Sequence, residues 1–177
     1  VNLFFGVHRG FAPPRVEDSV YNDGSSVEIG PETSWNYEVG MRTWPRNGVQ
    51  ADLTLFRNDF DRYTALGTVG GNDTPVAQGQ ALFQGMEIGG RVDGAEVFNW
   101  VHNPYLQLAY TWLPTAVQSS AFQCLPLSNG TIPATCPGGF VYGSRAGNRQ
   151  PYAPEQLVTA TVGYSHPIGV DVRLETA

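Results

Sequence analysis

Ser34-Trp35-Asn36-Tyr37-Glu38-Val39-Gly40-Met41-Arg42 alternates without a break. Trp35, Tyr37, Val39 and Met41 share one parity; Asn36, Glu38, Gly40 and Arg42 share the other. Successive side chains of an extended chain point to opposite faces, so this stretch makes a strand with one apolar face and one polar or small one. The pattern recurs along the chain. Ala51, Leu53 and Leu55 oppose Gln50, Asp52 and Thr54, with Phe56 an exception. Met86, Ile88 and Val92 oppose Glu87, Gly89 and Arg91, and Leu106, Leu108, Tyr110 and Trp112 oppose Gln107, Ala109 and Thr111. Val158, Ala160, Val162 and Tyr164 oppose Thr159, Thr161 and Gly163; Val170, Val172 and Leu174 oppose Asp171, Arg173 and Glu175. From about Asn2 to Arg9 the fit is poorer, because Phe4 stands on the polar parity. The reading is seven strands and no amphipathic helix of useful length.

The connections alternate in length. Trp44 to Gly48 and Pro167 to Gly169 are tight turns, and Gly94 to Asn103 is a somewhat longer link. Against them stand three long Gly/Pro-rich connections, Phe11 to Thr33, Asp61 to Leu82 and Leu113 to Pro154. Short connections at one end and long ones at the other are the habit of outer-membrane barrels, whereas a soluble sandwich has no reason to keep that asymmetry. The fold class read from the residues is therefore all-β, an antiparallel transmembrane β-barrel with lipid outside and a polar interior. Trp35, Tyr37 and Trp112 beside long loops, with Trp44, Trp100 and Tyr105 beside short links, fit aromatic girdles at both membrane surfaces.

Composition narrows the chemistry. Of 177 residues, 21 are glycine and 15 % are charged, against roughly a quarter in ordinary soluble proteins. All basic residues are arginine. Without lysine there is no P-loop and no Schiff-base chemistry. A net charge of −6 leaves no electrostatic footprint for nucleic acid. Val1 to Gly6 lacks the marks of a signal peptide, and no apolar run is long enough for a spanning helix.

Local words then carry a resemblance. Phe5-Gly6-Val7-His8-Arg9-Gly10-Phe11-Ala12-Pro13-Pro14-Arg15 and Pro31-Glu32-Thr33-Ser34-Trp35-Asn36-Tyr37-Glu38-Val39-Gly40 resemble barrel segments of TonB-dependent outer-membrane receptors. Leu53 to Asp61, Gln84-Gly85-Met86-Glu87-Ile88 and Asn148 to Glu155 are similar to the segments that follow in that family, in the same order. The flavour within the family is that of ferric dicitrate transporters. The resemblance implies a 22-stranded barrel in the bacterial outer membrane, plugged by an N-terminal domain and importing a ferric chelate with energy from the TonB complex. On that expectation residues 1–177 are the C-terminal part of a barrel, about seven strands, with the plug domain absent. The readings it competes with are a non-catalytic all-β ligand-binding module and a diffusion porin fragment.

Arg9, Arg15, Arg57, Arg62, Arg145 and Arg149 fall in or beside the long connections. Guanidinium forks match carboxylates bidentately, so Arg15, Arg57, Arg145 and Arg149, with Gln150 beside the last, are the expected contacts of an anionic ferric chelate. The competing reading is that they are solvated loop charges or pair with acidic neighbours such as Asp59 and Asp61. Cys124 and Cys136 bracket a short stretch of the longest loop, and a disulfide is expected in a protein exported through an oxidising compartment. Charges on the polar parities, such as Glu38 and Glu87, read as lumen-facing groups pairing with neighbours or plug residues rather than as catalysts. His8, His102 and His166 have no metal-ligand spacing. No catalytic, metal or cofactor site is expected.

Overall fold

The computed structural model describes residues 1–14, 29–65, 77–127, 129–134 and 136–176. They form one antiparallel sheet. Its strands are β1 (Asn2–Ala12), β2 (Glu32–Arg46), β3 (Val49–Ala65), β4 (Ala77–Asp93), β5 (Asn103–Gln118), β7 (Gln156–Ser165) and β8 (Asp171–Thr176), paired in that order. A two-residue strand, β6 (Gln123–Cys124), pairs with the start of β4. One five-residue helix, α1 (Gly94–Phe98), links β4 to β5. β1 and β8 lie at the two edges, so the sheet is open.

All seven strands read from parity are present. Their loop ends are not where the alternation stops, however. β3 continues through Asp61 to Ala65 and β5 through Leu113 to Gln118, both inside stretches expected to be connections. β6 was not anticipated at all.

Register converts parity into rows. Leu3, Met41, Leu53, Ile88, Tyr110 and Val158 stand side by side across six strands, and Phe5, Val39, Leu55, Met86 and Trp112 form the next row. One face of the sheet is thus continuously apolar. It has nothing packed on it: Phe5 is 86 % exposed and Leu174 78 %. The chain exposes 11454 Å² in total, where a compact monomer of this mass would expose about 8,400 Å².

Two rows toward the long connections the apolar face ends. Val7, Tyr37, Arg57 and Gln84 align, followed by Arg9, Trp35 and Asp59. Arg57 grips Asp59 with Nε to Oδ2 at 2.8 Å and Nη2 to Oδ1 at 3.0 Å. The Arg9 guanidinium lies 5.4 Å from the Trp35 ring centre and 3.6 Å from the Asp61 carboxylate.

The polar face explains the exceptions to parity. Phe4 pairs with Gly40 and Phe56 with Gly85. The Phe4 ring occupies the space that a side chain on Gly40 would need, and the Phe56 ring closes to 3.1 Å of where a Cβ on Gly85 would stand. Tyr105 covers its ladder partner Gly163 in the same way, and the Phe122 ring, from outside the ladder, fills the space over Gly79. Where the two are paired, glycine makes room for a large neighbour across the ladder, a pairing known to compensate strand glycines. Tyr105 is consequently no girdle residue. It is 8 % exposed on the polar face, under Arg91 at 4.2 Å, with its hydroxyl donating to Asp171 at 3.2 Å.

Among the described residues the buried hydrophobic clusters lie at the long-connection end. Ala77, Phe122, Cys124 and Cys136 are buried together, with Tyr63 and Val141 against them. Phe60, Tyr63, Phe83 and Phe122 form a chain of ring contacts with centroids 5.3 to 6.1 Å apart. This cluster fastens the connection between β5 and β7 onto the sheet. Cys124 and Cys136 are joined by a disulfide with Cα atoms 6.4 Å apart.

Candidate functional site

Two cavities open where chemistry could occur. The first lies on the polar face, about 280 Å³, between β1, β2, β3 and β4. His8, Asn36, Asn58, Glu38, Thr54 and Glu87 line it, with the Phe56 ring on one side. Strand parity aims all of them to one side, and the ladder rows His8–Asn36–Asn58 and Thr54–Glu87 bring them level. Two carboxylates and two amides give this wall a net acidic, hydrogen-bonding character.

The second cavity, also about 280 Å³, sits at the rim between the ends of β3 and β4 and the β5–β7 connection. Arg62, Gln78, Gln80, Ser120 and Gln123 contribute donors and acceptors, with Asp61 beside them. A register shift between Phe60 and Tyr63 turns Arg62 into it. Gln78 is held by Nε2 donating to the Gly30 carbonyl at 2.7 Å, and the Gln80 backbone N–H donates to Ser120 Oγ at 2.9 Å. A guanidinium among neutral donors suits a carboxylate-bearing ligand.

Arg15 lies outside the described residues, and the other arginines expected to contact a ligand are elsewhere. Arg57 is not in a connection. It stands inside β3 on the apolar face, paired with Asp59. Arg145 is exposed in the β5–β7 connection, its Nε 3.4 Å from Asn148 Oδ1.

Arg149 is committed to the backbone. β5 carries a bulge at Leu113 and Pro114 opposite Gly85, a kind of place where an interior strand tolerates proline. The bulge takes the Leu113 and Pro114 carbonyls out of the ladder, and Arg149 donates to them at 2.9 and 3.3 Å while also reaching the Ala153 carbonyl at 3.0 Å. Orphaned carbonyls need donors, and this guanidinium supplies them. Gln150 is 6 % exposed; its backbone amide donates to Ala116 at 2.7 Å and its side-chain Nε2 has no partner. Of these residues the four that are described, Arg57, Arg145, Arg149 and Gln150, do not line the rim cavity. Arg62 does, though alternation gave no reason to prefer it to the other loop arginines. Among the described residues no three His, Cys, Asp or Glu side chains converge.

An apolar face without a partner, a polar face with glycine-seated aromatics, and long connections gathered at one end describe a wall between lipid and an aqueous lumen. Residues 1–175 match the family model for the TonB dependent receptor-like β-barrel. The chain belongs to that family. No curated protein and no solved structure matches it. TonB-dependent receptor barrels are bacterial outer-membrane transporters rather than enzymes. In such a barrel the apolar rows face lipid, the first cavity lies on the lumen wall, and the rim cavity opens outward. The row of Arg57 and Gln84 then marks the outer edge of the hydrocarbon, where charge on the lipid side becomes tolerable.

Proposed function

We propose that this TonB-dependent receptor segment takes part in uptake of a ferric chelate bearing carboxylates, of the ferric citrate kind, across the bacterial outer membrane. Residues 1–177 form part of a larger barrel whose plug domain, and through it the TonB complex, supply gating and energy. The rim cavity carries this reading: Arg62 provides a bidentate cationic fork, and Gln78, Gln80, Ser120 and Gln123 provide neutral polar groups around it. The acidic lumen wall supports the plug. Glu38 and Glu87 are placed to receive basic side chains from a domain lying inside the barrel.

The test is transport of radiolabelled ferric citrate by iron-starved cells whose only source of this receptor is a plasmid copy. Arg62→Ala is expected to lower apparent affinity about tenfold or more, the loss of one charge-assisted contact of ~1.5–3 kcal/mol. Arg57→Ala, on the lipid side, is expected to leave uptake unchanged. Wild-type cells that take up a neutral chelate but no citrate complex would remove the proposed substrate class.

A further inference from the structure

His102 and His166, far apart in sequence, meet at the short-turn end of the apolar face. The β5–β7 ladder ends on the pair Asn103 and Ser165. Each histidine lies one residue beyond it, so the two are cross-strand neighbours on the side that also carries Tyr164. Their ring centroids are 5.3 Å apart and the Tyr164 ring is 5.9 Å from His102 and 6.1 Å from His166.

Tyr164 Oη and His102 Nδ1 lie 2.5 Å apart. With Nδ1–H donating to the phenol oxygen, Nε2 of His102 keeps its lone pair for another partner. His166 is fixed at the base of the tight turn: its amide donates to the Val170 carbonyl at 2.7 Å and its own carbonyl accepts from Gly169 at 2.9 Å. Its Nδ1 accepts only the Ile168 amide, at 3.3 Å, beyond the usual range and weak enough for the ring to be recruited elsewhere. Neither Nε2 has a hydrogen-bond partner among the described residues.

Two imidazoles bound to one tetrahedral zinc, at about 2.0–2.1 Å per Zn–N bond, hold their ring centres roughly 5 Å apart. The observed 5.3 Å agrees. We propose that His102 and His166 form a site for a divalent transition-metal ion, Zn²⁺ by its preference for imidazole, with Tyr164 orienting His102 and water filling the open positions. Two protein ligands make an exchangeable site rather than a structural one. Its occupancy would tie the link after α1 to the turn between β7 and β8.

The test uses the whole outer-membrane protein carrying this chain, purified in detergent and stripped of metal. Calorimetric titration with zinc is expected to give one binding event that weakens at least about tenfold in His102→Gln and in His166→Gln. Electron paramagnetic resonance with Cu²⁺ as probe is expected to count two nitrogen ligands in the wild type and one in each variant. Unchanged thermal unfolding of the metal-free variants would confirm that they fold. Equal zinc binding by the double variant, or a copper spectrum indifferent to both substitutions, would overturn the proposal.

Discussion

Ile88→Arg is expected to cripple insertion of the barrel, while Thr111→Arg, on the other face and one strand away, is expected to be tolerated. Ile88 stands in the middle apolar row between Leu53 and Tyr110 and is 43 % exposed, with lipid as its only available covering. A guanidinium near the bilayer midplane costs about 2–4 kcal/mol. Thr111 lies opposite Glu87 on the polar face, where an arginine gains an opposite charge across the ladder. Folding into lipid vesicles, followed by urea titration of the whole receptor, should separate the two variants by that amount. Equal loss in both would mean the faces are misassigned.

Gly163→Ala is expected to be the most damaging methyl group that could be added to β7. The Tyr105 ring occupies the place where the new Cβ would stand. It cannot withdraw freely, since Arg91 lies on its face and Asp171 holds its hydroxyl. Overpacking of this kind costs about 1–3 kcal/mol. Tyr105→Ser removes the obstruction, so the double variant should be less destabilised than the sum of the two single ones, a coupling measurable by the same titration. Additive losses would show that the ring and the glycine do not share that space.

The strands themselves were legible because lipid enforces strict alternation, and every stretch that kept it became a strand. The loop ends were not. Past Arg57 the apolar face of β3 carries Asp59 and Asp61, so the alternation fades while the backbone stays paired to Ala65. Phe4 and Phe56 looked like defects because their reason, the glycine opposite, exists only in register. The face of Tyr105 is legible in the sequence, since its neighbours Leu106 and Leu108 hold the other parity; its place beside a turn says nothing about which face it takes.

The candidate site was the least legible part. An arginine near a loop can bind a ligand, pair with a carboxylate or satisfy the backbone, and composition does not distinguish these. Arg57 pairs with Asp59, Arg149 answers carbonyls freed by a bulge at Pro114, and Arg62 enters a cavity because of a register shift. Each outcome depends on an irregularity of the ladder. His102 and His166 were equally hidden, since only the β5–β7 pairing brings them together.

One parity of these strands meets lipid and the other meets water. Nitroxide labels placed one at a time on the intact receptor in vesicles would test it, at Leu55, Ile88 and Val162 and at their neighbours Thr54, Glu87 and Thr161. High accessibility to oxygen and low accessibility to a water-soluble nickel complex are expected at the first three, and the lower oxygen accessibility of a lumen wall at the second three. Labels at adjacent positions with the same accessibility, or nickel contact at Leu55, Ile88 and Val162, would contradict it.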